Sequence, residues 1–233
     1  NGINYFGKKN FLGTFSPPVA VINDFNFLNT LDERDWRSGM SEAVKVALIK
    51  DAAFFYWLED HALALSRRDT ETMEKLIFDC GALHVDHISS QGDPFEMGSS
   101  RPLDFGHWAA HKLEQLTEFE VKHGEAVAIG LVLDLAYAVN EGLLSHKVFE
   151  RVYAVLGQLG FMLFHPLLLN QETNALNPEV YAGLEEFRAH LGGQLTITLI
   201  KEIGIQFNVH EMNKNSLDRA ALLLRQKSII HAN

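Results

Sequence analysis

Eleven histidines are spread along the 233 residues, and a few of them stand where spacing suggests chemistry. His107 and His111 are four apart, so on a helix they share one face, with Glu114 about one turn further along. His123 opens a His-Gly-Glu triplet at the head of an apolar run. Glu42 and Lys45 are three apart and flanked by Ala43, Val44 and Val46. Charged groups in so apolar a stretch should be paired, bound to metal or turned into a cleft. Two imidazoles and one carboxylate from different helices make a plausible zinc site with a fourth position open to substrate. The pattern H-E-x-x-H is absent, because Trp108 stands where its glutamate would be. Taken alone, a His-x-x-x-His pair is more often two interior histidines bonded to backbone, and spacing does not choose between the readings.

The remaining candidates read more plainly. Lys8-Lys9 with Asn10 is either a solvated turn or a holder of an anionic ligand. Asp134 reads as a polar helix-face residue rather than a catalyst, and the aromatic run 54–57 as core. Gly192-Gly193 precedes a strand pattern and not a helix, which makes it a turn and not a phosphate loop. No G-x-G-x-x-G or Walker A pattern occurs, so no dinucleotide loop is legible in the chain.

The elements that must position these groups are mostly helical. Ser38 or Ser41 is expected to cap one helix running through residues 42–50 and on to Trp57. Further helices are expected at 69–85, 106–117, 124–140, 145–159, 178–191 and 216–227, with a loop at 89–101. Alternating Thr196-Ile197-Thr198-Leu199 reads as a strand, with a second at 206–210. Near the N-terminus, glycines 2, 7 and 13 and Ser16-Pro17-Pro18 read as turn chemistry, and residues 19–22 (Val-Ala-Val-Ile) as a short strand that needs a sheet to join.

Composition narrows the partners. Hydrophobic residues make up 47% and charged residues 21%, a globular balance. The formal charge of −10 argues against broad binding of nucleic acid or anionic membrane, though a small anionic ligand needs only a few local cations. A single cysteine, Cys80, excludes an internal disulfide and a thiolate cluster and fits a reducing, cytoplasmic setting. The apolar run 126–139 is too short to span a bilayer and is broken by Asp134.

In order, these segments resemble a family. Gly7-Lys8-Lys9-Asn10-Phe11-Leu12-Gly13 resembles the GKN signature of 3-dehydroquinate synthases and related sugar-phosphate cyclases. The run from Arg37 to Lys45 resembles their R-x-G-x-[AS]-E-x-[IV]-K motif, and that from Leu103 to Glu114 their L-N-x-G-H-[TS]-x-x-H-x-x-E motif. His123-Gly124-Glu125-Ala126-Val127-Ala128-Ile129-Gly130 matches a fourth motif without a change.

The resemblance implies a mainly α fold: a multi-helical C-terminal domain of the dehydroquinate-synthase type, with short strands at the N-terminus and near 195–209. It implies Glu42, His107 and His123 as ligands of zinc or cobalt, with Lys45, Lys9, Asn10, His111, Asp104 and Arg101 around the substrate. It implies NAD as hydride carrier, a sugar phosphate as substrate and a homodimer as the assembly. The reaction implied is a carbon–oxygen lyase cyclisation, by oxidation, phosphate elimination, reduction and aldol closure, in the shikimate route to aromatic amino acids.

Several departures bear on the substrate. Asp104 replaces the family's Asn, exchanging a neutral donor–acceptor for an acceptor-only carboxylate that would repel a substrate carboxylate. His84 stands near the place of a family lysine, Arg101 is offset by one from an expected arginine, and Arg188 alone remains of a basic D-K-K. Fewer cations and one added anion imply a carboxylate-free sugar phosphate, as in 2-epi-5-epi-valiolone synthases. A helical metal-binding module without catalysis is the reading from a different class. Residues 1–34 are expected to be the remnant of an N-terminal α/β NAD-binding domain and 35–233 the helical metal- and substrate-binding domain. On that expectation the chain is a C-terminal piece, inactive alone, lacking on the order of 100–150 residues of nucleotide-binding fold.

Overall fold

The computed structural model describes residues 2–5, 8–13, 19–90 and 102–231, in two units that divide between Thr30 and Leu31. The first unit contains an antiparallel pair, β1 (Gly2–Tyr5) and β2 (Lys8–Gly13), with Ile3 opposite Leu12 and Tyr5 opposite Lys8. The strands therefore lie in the glycine-rich segment read as turns. Residues 19–22 form no strand, which corrects the expectation: Val19, Val21 and Ile22 are almost fully exposed, and no described strand offers them a ladder. Ser16, Pro17 and Pro18 lie outside the described residues.

Among its described residues the second unit is mainly helical, with one hairpin. It runs α1 (Glu33–Ser38), α2 (Met40–Lys50), α3 (Ala52–Ser66), α4 (Thr70–Ser90), α5 (His107–Leu116), α6 (His123–Asn140), α7 (His146–Gln158), α8 (Pro178–His190), the hairpin β3 (Ile197–Glu202) and β4 (Ile205–Val209), then α9 (Lys214–His231). Most expected helices fall within a few residues of their boundaries. The exception is the long helix through Trp57, which is cut by Asp51. That residue is extended (φ −147°, ψ 98°), and its carboxylate accepts from the Phe54 amide, so it starts α3 as an N-cap. The cap of α2 is also corrected. Gly39 holds that position, while Ser41 lies buried inside the helix with its hydroxyl donating to the Ser38 carbonyl. Helix α4 continues through Ser90, and the rest of the expected loop, including Arg101, lies outside the described residues.

Helix α6 is the axis of this unit. Residues 126–138 are buried without interruption, as befits a helix that is apolar on every side. It packs against α2, α5, α7 and α9 and touches β3. Leu131, Leu133 and Leu135 are fully enclosed, each contributing about 1.5–3 kcal/mol of burial. Helix α2 is buried almost as completely and supports the β3–β4 hairpin, whose turn amide at Gly204 donates to the Leu48 carbonyl at 2.8 Å. Among the described residues no helix is long and apolar enough to cross a membrane.

Candidate metal centre

Three helices bring the chemistry together. Glu42 lies in the first turn of α2, His107 is the first residue of α5, and His123 is the first residue of α6. The two imidazoles thus stand at the positive ends of two helix dipoles, which favours an anionic group between them. That group is Glu42: its Oε1 is 3.1 Å from His123 Nε2 and 3.5 Å from His107 Nε2. Its Oε2 receives the Lys45 ammonium at 2.5 Å, one helical turn on, and Lys45 itself is buried. Burial opposes ionisation of Glu42, but the two imidazoles and Lys45 outweigh it and hold the carboxyl well below the usual carboxylate range.

Local packing explains the His-Gly-Glu triplet. Glu125 accepts both Nε and Nη2 of Arg34, at 2.6 and 2.5 Å, and turns back to cap the Lys122 amide at 2.9 Å. Lys122 in turn donates to Asp35. These contacts clamp the start of α6 to α1, and Gly124 lets the two backbones meet. A Cβ on it would fall 1.8 Å from the Ser38 carbonyl oxygen. Histidine, glycine and glutamate are therefore a candidate ligand, a close approach and a clamp.

The imidazoles are also held from behind. His107 Nδ1 lies 3.0 Å from the Phe105 carbonyl oxygen, and His123 Nδ1 lies 3.1 Å from Glu114 Oε2. A carbonyl oxygen can only accept, so His107 Nδ1 carries a proton. In a neutral ring the Nε2 lone pair then faces Glu42, and only a proton or a cation at Nε2 lets this imidazole stabilise the carboxylate. His123 faces a carboxylate oxygen through each nitrogen, and a neutral ring has one proton for the two. A proton or a cation must complete the cluster, and a divalent metal fits this donor set of two neutral nitrogens and one carboxylate oxygen.

His111 joins the group at the side, with its ring centroid 5.3 Å from that of His107 and 5.9 Å from that of His123. A second possible ligand set, His111, Glu114 and His123, shares His123 with the first. Asp104 ends a half-buried 3-10 turn (Pro102–Asp104) that leads into the Phe105-Gly106-His107 segment. Lys9 and Asn10 belong to β2 in the other unit, and their side chains lie outside the description. His84 is exposed on α4, and Arg188 pairs with Glu185 on its own helix.

Two residues carry more than their spacing announced. Glu114 is buried and orients His123, although the sequence marks it only as sharing a face with His111. Asp134 is not a polar helix-face residue: it is fully enclosed, accepting from the Gly106 amide at 3.1 Å and the Trp108 indole at 2.8 Å. Burial pushes its carboxyl up to about 7 against those two hydrogen bonds. The available signal was an acidic residue inside the apolar run of α6.

Comparison with known proteins gives the same outline. Residues 39–179 match the family described as 3-dehydroquinate synthase C-terminal, and residues 1–38 match 3-dehydroquinate synthase N-terminal. A 3-dehydroquinate synthase of Halorhodospira halophila is 33% identical over 87% of this chain and 55% of its own length. A 2-epi-valiolone synthase of Actinosynnema mirum is also 33% identical, over 96% of this chain and 57% of its own. The chain thus spans little more than half the length of these relatives. Among solved structures, the 2-epi-5-epi-valiolone synthase of Streptomyces hygroscopicus subsp. jinggangensis, with NAD+ and Zn2+ bound, superposes with a TM-score of 0.86. It is 30% identical, covering 97% of this chain and 61% of that one.

Proposed function

The chain belongs to the 3-dehydroquinate synthase family, and on that premise we propose that it supplies the metal- and substrate-binding part of a sugar-phosphate cyclase. In this reading residues 35–233 form the metal- and substrate-binding domain and residues 1–34 belong with the NAD-binding one. The observation that carries it is the convergence of two imidazole Nε2 atoms on one Glu42 oxygen. Glu42, His107 and His123 hold a divalent ion, zinc first and cobalt as the nearest substitute for the same donors. When bound, that ion polarises a substrate hydroxyl and fixes its neighbours.

The reaction proposed is the family's: a seven-carbon keto-sugar phosphate becomes a carbocycle, by oxidation, loss of phosphate, reduction and an aldol closure. The hydride removed in the first step returns in the third, so NAD+ is not consumed. Lys45 keeps Glu42 ionised and leaves a buried cation beside the substrate hydroxyls. His111 stands where an imidazole can take or return a proton next to His107 and His123. The N-termini of α5 and α6 favour the substrate's anionic groups. Lys9, Asn10 and Arg101 are proposed as further substrate contacts. Among the described residues the strands are two antiparallel pairs without a parallel β-α-β unit, so the dinucleotide fold lies outside them.

Asp104 favours a second reading within the same family. Its acceptor-only side chain, at the entrance to the His107 turn, suits a carboxylate-free sugar phosphate of the valiolone type. Purified full-length gene product, offered the carboxylated and the carboxylate-free sugar phosphates, tests both. Turnover of the acidic substrate alone overturns the argument from Asp104. Metal binding with neither substrate turned over leaves a metal-binding module and overturns the cyclase. The proposed setting is cytoplasmic, with a homodimer as the assembly. For residues 1–233 alone the expectation is zinc binding with weak or absent NAD+ binding and no turnover.

A further inference from the structure

Asp134 takes no place among the candidate ligands, yet its bonding bears directly on one of them. The Gly106 N–H that it accepts belongs to the same planar peptide unit as the Phe105 carbonyl, and that carbonyl receives His107 Nδ1. The chain of contacts runs from Asp134 Oδ2 to the Gly106 N–H, across one peptide to the Phe105 oxygen, and on to the imidazole. Each link is buried. We propose that Asp134 is a positioning residue for His107, acting through the Phe105–Gly106 peptide to set the tautomer and direction of the imidazole.

Packing gives the peptide little freedom to take another orientation. Gly106 has φ +77°, and a Cβ on it would meet the Leu131 backbone nitrogen at 2.8 Å. A Cβ on Gly130 would fall 1.9 Å from the Gly106 carbonyl oxygen. Helix α6 thus presses on the turn with its backbone at Gly130 and Leu131 and grips it with the Asp134 carboxylate one turn later. The indole of Trp108 occupies the other carboxylate oxygen and fixes the plane of the carboxylate. An ionised acceptor polarises the peptide and strengthens the carbonyl as an acceptor for Nδ1–H, which makes Nε2 the better ligand. His123 receives the same service directly from Glu114. Both imidazoles are therefore backed by a carboxylate, one in contact and one through a peptide.

The inference rests on His107 facing a metal, so the experiment begins with metal-free protein. Nitrogen-15 NMR at about pH 8, above the Asp134 value of about 7, reads the His107 tautomer, and zinc titration of the same samples reads affinity. Wild type should hold the proton on Nδ1. Asp134→Asn sets an amide between two N–H donors and should mix the tautomers and lower zinc affinity about 10–100-fold. Trp108→Phe leaves the Gly106 bond in place and should keep the tautomer. The double variant Asp134→Asn/Trp108→Phe frees the amide oxygen to turn to Gly106 and should recover the tautomer and much of the affinity.

Tyr137→Phe serves as the structural control. It removes the acceptor of the Asn213 amide between α6 and α9 and should lower stability without moving either readout. If Asp134→Asn only destabilises, with tautomer and zinc affinity unchanged, the inference is overturned. Failure of the double variant to recover the tautomer also overturns it. If wild type binds no zinc, the metal reading fails by itself, and the tautomers of the same variants still decide the relay.

Discussion

Gly124 meets Ser38 so closely that the Ser38 carbonyl oxygen occupies the position a Cβ would need, 1.8 Å away. The contact sets how far the start of α6 can approach α1 and α2, and so the distance from His123 to Glu42. Both partners are backbone, so neither can turn aside. Gly124→Ala should cost on the order of 1–3 kcal/mol or more, as overpacking does, and lower the melting temperature by several degrees. Zinc affinity should fall with it. A variant that melts like wild type would mean that α6 can slide without cost.

Ligand removal distinguishes the two overlapping clusters. In calorimetry with zinc, Glu42→Ala and His123→Ala should each weaken binding by more than about 100-fold, the upper end of what outer-shell changes cause. His111→Ala should leave affinity close to wild type. Strong loss in the His111 variant with little in Glu42→Ala would move the ion to the His111, Glu114 and His123 set.

Glu114→Gln keeps shape and an acceptor beside His123 Nδ1 but removes the charge. Zinc affinity should drop about 10–100-fold, with little change in far-ultraviolet circular dichroism. Equal affinity would show that His123 is oriented by its helix alone.

Asp134 should make metal-free protein less stable as pH rises. In the unfolded chain its carboxyl titrates near the ordinary value of 3.8, whereas in the folded protein burial raises it to about 7. Between those values the folded state keeps a proton that the unfolded chain has released. Stability therefore falls across this window, by a few kcal/mol at most, and levels off above it. Urea unfolding of wild type and Asp134→Asn in chelator, from acid to neutral pH, reads the difference in slope. Parallel curves would mean that the two hydrogen bonds cancel burial.

The four motifs were legible because each is local. Spacing placed His107, His111 and Glu114 along one helix, and apolar runs marked α2 and α6 as interior. The resemblance implied Glu42, His107 and His123 as one ligand set, and their donor atoms lie within 4.8 Å of one another. Even the break at Asp51 carried its own signal, since an aspartate before Ala52-Ala53 is an N-cap. The strand expected at 19–22 failed for the converse reason: β-branched residues state a preference, and only a neighbouring strand turns it into a sheet.

What the sequence by itself determined was the chemistry available and the helices that carry it. Tertiary structure decided which helix faces meet. The approach of Gly124 to Ser38 and of Gly130 to Gly106 brings three helix starts to one point. It also encloses Asp134 behind the turn that presents His107. Periodicity states which side of a helix is apolar, but partners far apart in sequence are chosen by packing, where a single Cβ can forbid the contact. The buried carboxylate was therefore visible as a residue, and its connection to His107 was not.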